Sequence, residues 1–591
     1  MALPVTQSET TKPMSDAWDY KGRPADASKS GGWVSAAMIL GVEACERLTT
    51  LGIAVNLVTY LTGVMHMSNS VSANTVTNFM GTSFMLCLLG GFLADSFLGR
   101  YLTVTIFTAV QAIGVMILTI STAIPSLRPP KCQTGSSTCI PATDIQLGVL
   151  NLALYTIALG TGGLKSSVSG LGSDQFDESN KEERSRMAKF FSWFFFFISI
   201  GSLCAVTILV YIQDSIGRPW GYGVCAGAIF VGLLILLSGT RRYRFKKLAG
   251  SPLTQFFTVF VAAWRKRTMV LPSDSLELFS VDDMAPDSET KKPKLPHTKE
   301  YRFLDRAAIK VTDVDTGITE INKWDMSTLT DVEEVKMVLR MVPIWATTII
   351  FWTVYAQMTT FSVSQAITMD RYIGKTFQIP PASLTAFFVG TILVIVPVYD
   401  RFVIPIAGRL LKNPHGLTPL QRIAVGLVLS IFAMIAAALI EIKRLHVAQE
   451  NGLVNDPNTQ VPLTVFWMIP QFVFVGMAEA FTYIGQLDFF LKECPKGMKT
   501  MSTGLFLSTI SLGFFASSVL VAIVNKLTIK SPWLANNLNQ GRLYNFYWLL
   551  AILSALNFMV YLVFARGYIY KEKRFAEEGY ECDEEEPTCH A

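Results

Sequence analysis

Charge is scarce in this chain. Of 591 residues only 16% are Asp, Glu, Lys or Arg, against roughly 25% in soluble domains, and 51% are hydrophobic. That balance excludes a disordered chain, which is short of apolar residues and rich in charge. The net charge of +5 is too slight to call for a nucleic acid or another polyanion. Histidine is rarer still, with five in all, and none sits in the middle of an apolar run. If protons cross a membrane with a cargo here, carboxylates must carry them. No G-x-x-x-x-G-K-[ST] loop is present, which argues against ATP drive by the chain itself, and no H-E-x-x-H or paired C-x-x-C motif would hold a metal. Neither cofactor, metal nor enzymatic chemistry is therefore expected. Nine cysteines in so long a chain do not make a disulfide scaffold. Cys45, Cys87, Cys204 and Cys225 lie within apolar blocks and read as packing residues. Cys132 and Cys139 share a Pro/Ser/Thr-rich loop, where a disulfide and a pair of free thiols both remain open. No cleavable signal peptide is visible, because residues 1–30 are polar.

What the chain does have is apolar blocks of about 20 residues or more, the length that crosses a bilayer core. Twelve spans are predicted, at about 33–61, 75–97, 102–125, 145–170, 189–213 and 219–239, then 334–360, 380–404, 417–445, 462–491, 499–526 and 541–569. The loops Thr62–Asn74 and Val447–Val461 contain no Lys or Arg. Lys181, Arg184, Arg186, Lys189, Arg401, Arg409, Lys412 and Arg422 flank the spans on the other side. The positive-inside rule then places both tails and the long central loop in the cytosol, with Cys132 and Cys139 outside. The expected organisation is an all-α membrane protein: a tail (1–30), a six-helix bundle (31–240), a linker (241–333), a second six-helix bundle (334–570) and a tail (571–591). Within the linker, Leu253–Arg267 is apolar with a basic end and reads as an amphipathic helix on the inner membrane surface. Such a two-bundle layout is that of a secondary transporter with its site near the midplane, between the bundles.

An ionisable residue at mid-membrane costs at least a few kcal/mol on insertion scales, so each needs a reason. Glu43, Glu46 and Arg47 share one face of the first span. Two carboxylates beside one guanidinium cannot both stay ionised in a dry site, so a proton is shared and a substrate can displace it. The bland reading is a buried ion pair that fixes packing. Lys165 ends the apolar fourth span and Glu479 interrupts the tenth, one in each bundle and of opposite sign. They are expected to pair across the cavity in one state and separate in another, or else to pair structurally. Arg47 and Lys165 together favour an anionic cargo. Tyr355, Gln357 and Thr360 in the seventh span and Tyr483 and Gln486 in the tenth are candidates to line the cavity; a lone aromatic or amide in a helix is more often packing. Asp95 and Arg100, between the second and third spans, are candidates to clamp helix ends as a cytosolic gate. Arg100 also precedes Thr103 by three residues, an R-x-x-T pattern that basophilic kinases accept and that chance often supplies.

E-x-x-E-R (Glu43, Glu46, Arg47), GTGGLKSSVSGLGSDQFD (Gly160–Asp177) and ADSFLGR (Ala94–Arg100) together resemble the proton-coupled oligopeptide and nitrate transporter family of the major facilitator superfamily. DAWDYKGRPADASKSGGW near the start and ECPKGMKTMSTG before the eleventh span resemble its plant branch, and the likeness covers nearly the whole chain. The resemblance implies the major facilitator fold. It gives Glu43, Glu46 and Arg47 the proton-coupling role, and Lys165 and Glu479 that of a central charged pair. It also implies that Thr103 matches a threonine whose phosphorylation tunes affinity in a dual-affinity nitrate-transporting member. One departure bears on substrate: where that member has a nitrate-binding histidine, this chain has Tyr355. A histidine can become a cation and give nitrate a charge-assisted hydrogen bond, whereas tyrosine stays neutral. Ser199 stands where the wider family usually has asparagine.

The leading expectation is proton-coupled nitrate import by alternating access at the plasma membrane. Its partners are nitrate or another anion, protons, the lipid bilayer and a regulatory protein kinase, with a homodimer left open. A second reading keeps the fold and changes the cargo to chloride or a plant hormone such as abscisic acid or auxin. A third is a nutrient receptor with little flux. Peptide transport is the weakest of the four.

Overall fold

Local chemistry sets where the helices begin. The fourth, seventh and ninth spans start at Thr143, Thr328 and Thr418, whose hydroxyls each accept from a backbone N–H three residues on while Gln146, Asp331 and Gln421 reach back. The computed structural model describes residues 13–26, 29–132, 139–177, 180–246, 252–272, 277–280, 295–310, 324–411, 417–456, 459–495, 499–577, 581–582 and 589–590. Much of the linker and of both tails, with Lys412 and His415, lies outside the described residues.

The first six spans are Gly32–Ala54, Asn69–Leu93, Gly99–Ala123, Asp144–Ser173, Lys181–Cys204 and Arg218–Ser238. The second six are Leu329–Ala356, Thr385–Val398, Pro419–Glu450, Ile469–Glu493, Lys499–Leu527 and Leu543–Gly567. Among the described residues, ten segments are long and apolar enough to cross a membrane. One of them, Asn69–Ala123, contains both the second and third spans, which meet at the π-turn Ala94–Leu98 and at Gly99, whose φ is +74°. The first span is long enough too, but its three charges make it too polar to count on composition. It breaks at Asn56, whose amide donates to Gln213 at 2.7 Å and Asp214 at 3.0 Å, and then resumes as Leu57–Gly63. Several ends extend past their expected limits, two of them through polar segments near the bundle contacts. The second span begins at Asn69 on a Ser68 cap, and the seventh continues through a tight turn into Phe361–Ile367. Both extensions are polar, so apolar length could not mark them.

In the first bundle the fourth span packs on the second and third, and the sixth on the first and third. Gly160 makes one of these approaches possible, since a Cβ there would stand 2.4 Å from the Gln111 backbone nitrogen. In the second bundle the ninth span packs on the tenth and twelfth, and the seventh on the eleventh and twelfth. The bundles meet along two lines, second span to eleventh and fifth to eighth.

The tails and linker define one side of the molecule, here the linker side. On the far side the bundles share an apolar core, in which Val55, Ala73, Val206 and Val210 cluster with Val354, Met358, Ala382 and Phe388. On the linker side, the strands Pro13–Trp18, Pro24–Asp26 and Phe245–Lys246 form one antiparallel sheet. The linker helix Pro252–Arg265 occupies the stretch read as amphipathic. It packs on the short helix Arg302–Ala308, which is held to the start of the seventh span by Lys336, 2.6 Å from Asp305.

Candidate functional site

Spacings of three and four put Glu43, Glu46 and Arg47 on one face of the first span. Both carboxylates are buried, whereas 25% of the Arg47 side chain is exposed. Arg47 donates from Nη2 to Glu43 Oε1 at 3.3 Å, and its Nε lies 4.0 Å from Glu46 Oε2. Glu46 Oε1 accepts from the Thr50 hydroxyl at 2.7 Å and lies 3.7 Å from Lys165 Nζ. Gln111 then donates to Thr50 at 3.0 Å, and the Thr161 hydroxyl is 3.3 Å from that of Thr50. Oε2 of Glu43 and of Glu46 accept no hydrogen bond among the described residues. Two cations thus face two carboxylates that keep unused lone pairs, an arrangement able to take up a proton or exchange a partner.

The second bundle faces this cluster with neutral hydroxyls and one acid. Tyr355, Glu479 and Tyr483 are near enough to interact with the Arg47 charge. Tyr355 is held by ring contacts to Trp352 at 5.4 Å, Phe388 at 5.5 Å and Phe514 at 6.1 Å. Tyr483 packs edge-on to Phe506 at 4.6 Å.

The structure corrects one expectation, the place of Gln357 and Thr360 in the cavity lining, and shows one arrangement of the pair expected to join in one state and separate in another. Lys165 and Glu479 are not an ion pair in this conformation. Lys165 has a counter-charge in its own bundle, Glu46, and the Phe84 ring 4.9 Å from its ammonium, while Glu479 Oε2 accepts no hydrogen bond among the described residues. Gln357 and Thr360 do not join the cluster either. Two residues turn a helix by about 200°, so Gln357 points away from the Tyr355 face and donates to Ser517 at 2.9 Å. Thr360 donates back to Ala356 O at 2.8 Å. Both are buried at the bend of the seventh span. Gln486 is likewise occupied, accepting from Trp352 Nε1 at 3.2 Å.

At the linker side, Arg100 donates to Asp174 at 2.7 Å and to Gly170 O at 3.3 Å, tying the third span to the fourth within one bundle. Asp174 stands in the GSDQFD stretch, but nothing in its spacing named it as the partner. Asp95 lines a cavity of about 430 Å3 beside them, with Arg100, Asp174 and Lys246. The second bundle has a counterpart in Arg422, which donates to Asp488 at 3.4 Å and to the Tyr399 hydroxyl at 2.8 Å. Thr103 is fully buried one turn beyond Arg100, its hydroxyl donating to Gly99 O at 2.9 Å. Cys132 and Cys139 are joined by a disulfide, with His66 Nδ1 at 3.2 Å from the Cys132 sulfur.

Sequence reasoning missed the buried pair Glu441 and Arg444 of the ninth span, 2.7 Å apart and both wholly inaccessible. Gln365 donates to Glu441 at 2.8 Å and Arg444 to Asn539 at 2.6 Å. Two charges three residues apart, closing a long apolar run, were the available signal. His297, Asp305 and Glu333 are close enough together to hold a metal. Lys336 already supplies the positive charge there, 2.6 Å from Asp305 and 2.7 Å from Glu333.

The model of the POT family (PTR2) matches residues 101–539. The chain is 61% identical to Protein NRT1/PTR FAMILY 6.3 of Arabidopsis thaliana, over 99% of each chain. The chain belongs to the POT family. A further relative in that group, Protein NRT1/PTR FAMILY 6.2 of the same plant, is 55% identical over 95% of this chain and 96% of its own. Among solved structures, an auto-inhibited POT family peptide transporter superposes with a TM-score of 0.66 at 18% identity, covering 91% of this chain and 98% of that one. The POT family transporter PepTSo gives 0.64 at 20% identity, over 90% and 99%. These superpositions carry the fold: twelve spans in two six-helix bundles, of the major facilitator type. As a POT-family protein the chain is a multi-pass, proton-coupled membrane transporter and not an enzyme.

Proposed function

We propose that this transporter imports nitrate together with protons. The observation that carries the reading is Arg47, the partly exposed cation of the cluster, which holds Glu43 at 3.3 Å but Glu46 only at 4.0 Å. In this scheme protonation of Glu43 or Glu46 releases the guanidinium, which then takes a planar anion through paired N–H donors. Tyr355 and Tyr483 offer neutral hydroxyls from the other bundle. Lys165, held by Glu46, turns towards Glu479 as the bundles rock, so that occupancy is coupled to closure. Moving more than one proton with each monovalent anion carries positive charge inward, and the membrane potential then drives uptake. The linker side is the cytosol in this reading, and the membrane is the plasma membrane. Phosphorylation of Thr103 by a cytosolic kinase tunes the cycle: a phosphate there adds about −1.5 to −2 charges beside packed helix ends. Its burial means that the turn at Gly99 has to open first.

Chloride is the second reading, and Tyr355 favours it. A neutral hydroxyl in place of a chargeable imidazole suits an ion that needs few directed donors.

Uptake of isotope-labelled nitrate into proteoliposomes, at acidic and neutral pH and with or without excess chloride, tests the proposal. The wild type is compared with Tyr355→His. Acid-stimulated nitrate uptake that chloride barely inhibits is the expected result. Weak nitrate uptake and strong chloride flux in the wild type, with nitrate uptake appearing in Tyr355→His, would overturn it in favour of chloride.

A further inference from the structure

The two lines along which the bundles meet differ in chemistry. Where the continuation of the fifth span meets the lead-in to the eighth, Ala205–Leu209 lies against Pro381–Leu384, Val206 and Val210 share a core with Ala382 and Leu384, and the Tyr211 ring stacks on Phe377 at 6.0 Å, so the contact is mainly apolar. Where the second span meets the eleventh, polar groups recur at an interval of seven residues: Ser511, Ser518 and Asn525. A seven-residue step brings a helix back to nearly the same face.

Each of the three meets a partner on the second span. Ser511 donates to Gly81 O at 2.7 Å. Ser518 donates to Asn78 Oδ1 at 2.7 Å, and its oxygen lies 2.6 Å from the Thr77 hydroxyl, which also reaches Ala73 O at 3.0 Å on its own helix; either hydroxyl can donate to the other. Asn525 donates to the Ser70 hydroxyl at 3.4 Å. Beyond the end of the eleventh span, Asn69 donates to Asn536 O at 3.0 Å. Ser511, Ser518, Thr77 and Ser70 are buried while the seam is closed. Between Ser511 and Ser518 the eleventh span also presents Phe514, stacked on Phe84 at 6.2 Å.

A seam of neutral hydroxyls and amides has a particular energetic property. Each hydrogen bond contributes only modestly to the closed form, because water replaces it when the helices part. An apolar seam of equal area would have to expose hydrocarbon to the same water. We infer that Ser511, Ser518 and Asn525 are positioning residues of the far-side gate, forming a releasable clasp that sets the ratio of closed to open conformations. The apolar line between the fifth and eighth spans supplies the cohesion, and the polar line supplies the reversibility.

The inference rests on the transport function of the family and not on which anion is carried, so its test needs no substrate. The spacing of labels at Val71 and Leu527, 49% and 79% exposed at the far ends of the two spans, reports the gate in the purified full-length protein. Labels are placed through non-natural residues, because the chain has nine cysteines. Ser518→Ala leaves the Thr77 hydroxyl without this partner and disfavours the closed form, so the population with widely spaced labels should rise about tenfold. Thr77→Val with Ser518→Ala makes the same place apolar, while the half-exposed Asn78 can turn to water. The double variant should therefore reverse the shift and favour short spacing. Asn525→Ala, at the exposed end, should widen the gate in a protein whose folding is not in question. In uptake assays Ser518→Ala should lower KM and kcat together, and the double variant should raise KM while lowering kcat. Unchanged spacing in Ser518→Ala and Asn525→Ala, or the same direction of change in the single and double variants, would overturn the inference. Either result would leave the identity of the anion untouched.

Discussion

Lys165 Nζ lies 3.7 Å from Glu46 Oε1, so the cation inside the fourth span is bound to the first span and not to the opposite bundle. Glu46 thereby takes part in both halves of the site, accepting from Thr50 on its own helix while facing Lys165 and Arg47.

Neutralising Glu46 removes the counter-charge of Lys165 while keeping its shape. Glu46→Gln should reduce proton-driven uptake by about tenfold or more, as expected when a buried charge loses its partner. The remaining uptake should no longer respond to external pH. Initial rates of anion uptake across a pH gradient measure both effects, and a full acid response in Glu46→Gln would contradict the coupling role.

Tyr355 and Gln357 should separate cleanly by phenotype. Tyr355→Phe removes a hydroxyl from the Arg47 neighbourhood and should raise KM for the anion by a few fold, with little change in melting temperature. Gln357→Leu breaks the link to Ser517 and should lower stability by about 1–2 kcal/mol with KM unchanged. Thermal melting in detergent beside uptake kinetics distinguishes the two.

Arg444 lies wholly buried against Glu441, Asn539 and the Leu538 carbonyl. Arg444→Met strands Glu441 and should destabilise the protein by about 3–5 kcal/mol. Adding Glu441→Leu should recover most of that loss. A double variant no more stable than the single one would show that the pair has another role.

Burial lowers the Lys266 ammonium in the linker from its ordinary 10.5 to about 8. The unfolded chain keeps that proton up to the ordinary value, so docking of the linker helix releases a proton between those limits. Docking should strengthen as pH rises from about 8 towards 10.5 and should be insensitive to pH below 8. Amide hydrogen exchange across Pro252–Arg265, corrected for intrinsic rates, measures this. Lys266→Met should abolish the trend.

Thr103 has no room for charge while its hydroxyl is bonded to Gly99 O at 2.9 Å. Thr103→Asp should lower the melting temperature clearly, since it buries an unpaired carboxylate, whereas Thr103→Ala should change it little. Equal melting of the two variants would mean that the Gly99 turn is already open to solvent.

The repeating apolar blocks made the twelve spans legible in advance, because a bilayer core demands about 20 apolar residues for each crossing. The charged first span was legible for the opposite reason, since three costly side chains on one helix face need a use. The ends of spans were harder. Asn69 and Ile367 close polar extensions that apolar length cannot mark, and local caps decide where they stop.

Side-chain direction and partner choice were beyond the linear pattern. Tyr355 and Gln357 are two residues apart, yet one lies by the Arg47 cluster and the other is buried against Ser517. Residue order and charge by themselves determined the number of spans, the E-x-x-E-R face and the candidate charges Lys165 and Glu479. Only the tertiary structure decided that Lys165 pairs with Glu46, that Arg100 pairs with Asp174, and that Ser518 closes on Thr77 and Asn78. An ion pair or hydrogen bond acts over a few ångströms, and which helices come that close is set by how whole bundles pack.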